Sequence, residues 1–175
     1  MKIRILVFTE GTVLMHALAK RVSREERVKQ SQNIITRFKV TPGSTRDFKN
    51  YIPVGNAVEK INSWKQQGAE IIYLTSRRIK SEIETIKKIL SKNNFPDFKN
   101  LYFRKQGEEY KDVAERLVPD VLIEDDCESI GGAKEMVYPH IKKELKSKIK
   151  SVVIKEFEGI DNLPIDITLF KNNQK

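Results

Sequence analysis

Val121-Leu122-Ile123-Glu124-Asp125-Asp126 is a short apolar run that ends in three consecutive acids. A run without alternation is what a strand covered on both faces looks like, as in a parallel sheet. Three adjacent carboxylates repel one another, and the arrangement is costly unless a cation or a Lys/Arg answers it. The strand end is therefore read as a metal site in preference to a solvated acidic turn. In an open parallel sheet, ligands bind outside the carboxyl ends of the strands. The polar residues that follow the other strands must then be collected with these acids.

Ile3-Arg4-Ile5-Leu6-Val7-Phe8 is a second run of this kind, broken by Thr9-Glu10-Gly11-Thr12. Residues 69–74 form a third, followed by Thr75 and Ser76, with Arg77 and Arg78 behind them. Residues 101–103 and Val152-Val153-Ile154 are shorter candidates. Between the strands lie helical patterns. Ala57, Val58, Ile61 and Trp64 share a face, and Gly68 suits a left-handed cap. Ile79, Ile83, Ile86 and Leu90 keep helical spacing to about Asn93, and residues 110–117 are stopped by Pro119. Ser23-Arg24-Glu25-Glu26 and Ser81-Glu82-Ile83-Glu84 are capping-box signatures. Loops are expected at Thr41-Pro42-Gly43-Ser44 and Gly131-Gly132. Strands alternating with helices imply βαβ units, an α/β fold and a mainly parallel sheet. Lys111 lies on the helix before the acidic strand. Acids, two hydroxyls and a lysine at one sheet edge have the composition of a Mg²⁺–phosphate site: oxygen ligands hold the hard cation, and Lys and hydroxyls hold phosphoryl oxygens.

The chain's 175 residues suffice for one domain with a real core. No stretch approaches the roughly 18 apolar residues of a membrane span. The start is too quickly interrupted for a signal peptide. Cys127 is the only cysteine, which excludes an internal disulfide and fits a cytoplasmic setting. The net charge of +9 is unevenly placed: residues 16–50 hold nine Lys/Arg against three acids. Such a surface suits an anionic partner, either a phosphorylated small molecule or nucleic acid, or is simply a solvated basic face. Residues 171–175 read as a disordered tail.

In this arrangement the chain resembles the haloacid-dehalogenase-like (HAD) superfamily. That family's first motif is a strand followed by Asp-x-Asp-Gly-Thr, against Phe8-Thr9-Glu10-Gly11-Thr12 here. Its second is a strand ending in Thr or Ser, against Ile71-Ile72-Tyr73-Leu74-Thr75. Its third is a Lys, matched best by Lys111 and less well by Lys105. Its fourth is a strand ending in paired acids, against Glu124-Asp125-Asp126. Order and spacing agree over roughly residues 3–132, and the phrasing is nearest the nucleotidase and acid-phosphatase branches. The resemblance implies a three-layer Rossmann-like fold forming a single domain over residues 1–175. Residues 13–50 would be a cap-like insertion within it. It implies Mg²⁺ held by Asp125 with Glu124, Asp126 and Glu10 in support, and phosphate held by Thr75, Ser76 and Lys111. Glu10 falls at the family's acid/base position. His16, Arg21, Arg24 and Arg77 are candidates for substrate recognition, although a histidine six residues past Glu10 is more often a core or surface one.

Gly11-Thr12 fixes the register and places Phe8 where the family has its covalent nucleophile. Phenylalanine can neither attack phosphorus nor bind Mg²⁺. Residues two apart in a strand share a face, so Glu10 is expected beside Phe8 and Thr9 is expected to point away. Three readings follow. The protein is a phosphohydrolase in which Glu10 or metal-activated water attacks; or it is a non-catalytic relative that binds a phosphorylated ligand or a partner; or the basic insertion binds nucleic acid over a scaffold core. Few aromatics interleave the basic residues, and no helix-turn-helix or zinc-finger pattern is present, which places the third reading last.

Overall fold

The structure is a computed structural model that describes residues 2–32 and 47–170. The expected loop at 41–44, the tail at 171–175, and Arg37, Lys39 and Arg46 lie outside the described residues. Five strands form one parallel sheet: β1 (Arg4–Phe8), β4 (Glu70–Leu74), β5 (Leu101–Tyr102), β6 (Val121–Asp125) and β7 (Lys150–Ile154), in the order β5-β4-β1-β6-β7. β1 is central. Its Ile5 stands in register with Ile71 on one side and Val121 on the other.

Alternation along the strands builds two cores. Ile3, Ile5, Val7, Ile71, Tyr73 and Ile123 face α2 (Ala57–Gln66) and α3 (Lys80–Lys92) through Ile61, Trp64, Ile86 and Leu90. Leu6, Phe8, Ile72, Leu74 and Leu122 face α4 (Tyr110–Leu117) and the segment from Val137 to Ile149, which contains the short α5 (Lys143–Lys146). Both faces being covered is why these strands read as continuous apolar runs. The chain leaves β1 toward the α2 side and leaves β6 toward the opposite side. A crevice therefore opens at the carboxyl ends of β1 and β6, where such sheets bind ligands.

Local signals set most boundaries. Gly68, at φ +94°, ends α2 as its sequence position suggests. Val118 takes a left-handed cap just before Pro119 and closes α4. Two boundaries differ from the sequence expectation. α3 begins at Lys80, one residue before Ser81, because Ile79 already holds the extended cap conformation without a side-chain bond. β6 continues through Glu124 and Asp125 because both pair with β7, opposite Val153 and Ile154.

The segment after β1 is closed at its base by a small antiparallel pair, β2 (Leu14–His16) with β3 (Tyr51–Pro53). α1 (Arg24–Gln32) lies between them, and the Glu26 amide donates to Ser23 Oγ at 3.3 Å as the capping signature implies. Among the described residues no helix is long and apolar enough to cross a membrane.

His16, read from sequence as a recognition residue, is 1% exposed on β2, and neither ring nitrogen has a hydrogen-bond partner among the described residues. Burial lowers its pKa from the usual 6.5, with Arg27 acting the same way against Asp47. The folded protein thus takes up a proton at His16 less readily than the unfolded chain, which does so below about 6.5. Stability is expected to fall as pH drops through that value, and His16→Leu should make the fall shallower. Denaturant midpoints between pH 7.5 and 5.5 check this; identical pH dependence in the two proteins would contradict it.

Candidate active site

The turn after β1 is tight. Val13 and Leu14 amides donate to Thr9 O at 3.0 and 2.8 Å, and Gly11 N donates to Leu14 O at 3.0 Å. Gly11 has φ +81°, and a Cβ on it would lie 2.8 Å from Asp125 Oδ2. Glycine is therefore required twice, by the backbone and by the carboxylate beside it. Asp125 is 5% exposed and is held by Thr12 Oγ1, which donates to Oδ2 at 2.8 Å, and by Cys127 N, which donates to Oδ1 at 3.0 Å. Burial still pushes its pKa up to about 6, with those two bonds opposing. Cys127 itself turns the chain at φ 51°, and its thiol is also raised by burial.

Asp125, Asp126 and Glu156 each present an oxygen within 4.8 Å of the others. Glu156 is two residues past β7, the neighbour of β6. Its carboxylate accepts from Ser129 N and Ser129 Oγ, both at 2.7 Å, and its own amide donates to Asp126 Oδ1 at 3.0 Å. Burial raises the Glu156 pKa, and Asp125 and Asp126 add to the effect. Arg24 of α1 pairs with Glu128 and stands 3.9 Å from Asp126 Oδ2 at the rim. Three carboxylates, two of them buried, are disfavoured in their ionised forms unless positive charge joins them. An all-oxygen donor set oriented by backbone amides and a serine hydroxyl fits a hard divalent cation such as Mg²⁺.

Other sequence candidates lie elsewhere. Glu124 accepts from Val137 N at 2.6 Å and Tyr138 N at 2.9 Å. The period of two in β6 sends it to the opposite face from Asp125, so it ties down a loop and does not join the acid cluster. Glu10 also stands apart from that cluster. Its Oε1 accepts from Thr75 Oγ1 at 2.5 Å, and its Oε2 accepts from Thr9 Oγ1 at 2.7 Å and Ser76 N at 2.9 Å. Arg77 Nε lies 3.6 Å from Oε1. Thr9 thus reaches the Glu10 carboxylate and does not point away, because strand geometry ends at Phe8. Thr75 is fully buried with its hydroxyl on Glu10, and Ser76 Oγ accepts from the Arg77 guanidinium. Lys111 is turned outward, 2.8 Å from Glu109, and does not line the β1–β6 crevice. Arg21 is exposed at φ 67° and does not line it either.

The crevice is a cleft of about 180 Å³. Asp125, Glu156, Glu10 and Arg77 give it polar groups, and Phe8, Tyr51, Tyr110 and Phe157 give it aromatic walls. Phe8 is 9% exposed and meets Tyr110 edge-on, with ring centroids 5.1 Å apart. Glu156 is the member that sequence reading missed. Its only signal was an acid just past the last strand, at the sheet edge where the other candidates were collected.

The chain matches no protein-family model and no curated protein. Among solved structures it is similar to the class C acid phosphatase from Bacillus anthracis, with a TM-score of 0.53 at 10% identity. The match covers 90% of this chain and 68% of that one. The likeness is one of fold.

Gly11→Ala is expected to lower stability by about 1–3 kcal/mol, from the left-handed backbone and the contact with Asp125. It should also disturb the candidate cation cluster, read as weaker binding of a divalent cation such as Mg²⁺ than in the wild type, because Asp125 must move. Urea unfolding and calorimetry on the variant measure the two effects; wild-type values in both would show that the turn is not seated on Asp125 as described.

Proposed function

We propose that this chain is a HAD-like protein that binds Mg²⁺ and a phosphorylated small molecule in the β1–β6 cleft, without the family's covalent step. Residues 13–50 would serve as a cap-like insertion on a single domain, working in the cytoplasm. The observation that carries this reading is the Asp125–Asp126–Glu156 cluster opening, through Asp125 and Glu156, on a cleft walled by Phe8. Asp125, Asp126 and Glu156 would hold the cation. When bound, it would neutralise phosphoryl charge. Arg77 would meet the phosphoryl group from the opposite wall.

Binding is better supported than turnover. Phe8 offers no nucleophile and packs against Tyr110. The Glu10 carboxylate, the nearest substitute, accepts three hydrogen bonds and faces Arg77. A carboxylate whose two oxygens are occupied in this way is held in place, which opposes attack on a substrate in the cleft. Loss of a covalent nucleophile lowers rates by orders of magnitude. The remaining alternative, hydrolysis by metal-activated water, has no positioned general base outside the acid cluster among the described residues.

Two measurements test the proposal. Mg²⁺ should raise the Tm of the wild type and leave Asp125→Ala unmoved; an equal rise in both would remove Asp125 from the metal site. The wild type should release phosphate from p-nitrophenyl phosphate at background rate, and Phe8→Asp should gain activity, on the order of 100-fold or more given the usual weight of a nucleophile. If Phe8→Asp folds and binds Mg²⁺ but gains nothing, the cleft is not a phosphatase site that lacks only its nucleophile. Robust wild-type hydrolysis abolished by Glu10→Gln would overturn the non-covalent binding account.

A further inference from the structure

A second cavity, of about 200 Å³, lies on the far side of Tyr110 from Phe8. Arg104, Tyr110 and Glu135 line both cavities and form the wall between them, whereas Lys111, Lys134 and His140 line only the second. Its charge is unbalanced. Lys111 is matched by Glu109, and the His140 Nε2–H donates to Lys134 O at 3.1 Å. Neither Arg104 nor Lys134 has a carboxylate within 4.0 Å among the described residues. Glu135 is the remaining acid of the pair of chambers' shared wall.

Arg104 is the central group. Its guanidinium lies over the Tyr110 ring, with Cζ 3.6 Å from the ring centroid, and Nη2 donates to the phenol oxygen at 3.0 Å. The Nε–H is buried and has no partner among the described residues. Burial lowers the Arg104 pKa, and Arg78 pushes it the same way while Glu135 opposes. A half-buried guanidinium held against Tyr110, with no carboxylate within 4.0 Å among the described residues, is suited to offer its remaining N–H groups on the chamber side to a phosphate or carboxylate. An ion-paired arginine holding up a wall would instead face a carboxylate.

We infer that the second chamber takes a second anionic group of the same ligand, so that the ligand is a small molecule with two separated acidic groups, such as a bisphosphate. One group would sit beside the acid-bound cation and the other between Arg104 and Lys134. The inference rests on the proposed function for the first group and adds the class of ligand. It also gives a role to Lys111, which sequence reading assigned to phosphate and which the structure places on this chamber's wall.

The test is calorimetry with Mg²⁺ present, comparing adenosine 3′,5′-bisphosphate with adenosine 5′-monophosphate, and fructose 1,6-bisphosphate with fructose 6-phosphate. In at least one pair the bisphosphate should bind tenfold or more tightly. Lys134→Glu, on an exposed position, should remove most of that preference, and Arg104→Gln should do the same. Equal affinities within both pairs, or a preference untouched by Lys134→Glu, would overturn the inference while leaving the Mg²⁺–monophosphate reading standing. A bisphosphate preference that depends on Lys134 but not on Mg²⁺ or Asp125 would support the second chamber and overturn the metal reading. Binding of none of the four compounds would overturn both.

Discussion

The contact on which the site depends is the seat of the Gly11 backbone against the Asp125 carboxylate. A Cβ at Gly11 would stand 2.8 Å from Oδ2, so the turn after β1 and the end of β6 close with no space between them. Thr12 and Cys127 N hold the same carboxylate from either side. The sheet supplies the precision, because β1 and β6 are hydrogen-bonded neighbours at its centre and their loops leave toward opposite faces. Asp125 is thereby buried without a positive partner in contact among the described residues, and its pKa rises.

That electrostatic tension organises the surroundings. Asp126 and Glu156 bring further negative charge to a place where burial already disfavours it, and Arg24 answers only at the rim. Across the cleft the balance is struck differently. Glu10 is half-buried against Thr75, Ser76 and Arg77 and accepts hydrogen bonds from the protein itself. It is thus met by donors of the chain, while the Asp125–Asp126–Glu156 cluster is arranged as a cation would require. Phe8 lines the same cleft as an apolar wall.

Much of this was legible in the sequence, and the losses have physical reasons. The unalternating runs gave the parallel sheet, and Gly11-Thr12 gave the register that puts Phe8 in the cleft. Asp125 stood out as an acid after a buried strand. Its neighbour Glu124 was misplaced because β6 runs two residues further than its apolar run, and the period of two sends adjacent side chains to opposite faces. Glu10 was expected to follow strand geometry, but the chain turns at Thr9 and its direction is set by partners just past the end of β4, with Thr75 65 residues away. Glu156 lies two residues past β7, whose end at Ile154 was read correctly, but the acid that follows was not collected with the other strand-end residues. Lys111 was assigned by order along the chain, which does not determine the phase of α4.

The central claim is that a divalent cation belongs at Asp125, Asp126 and Glu156. A crystal grown with Mn²⁺ and measured at a wavelength where manganese scatters anomalously tests it most directly. The account predicts one strong peak coordinated by oxygens of these three residues. A peak at Glu124 or Glu10, or a saturated crystal with none at the cluster, would contradict it.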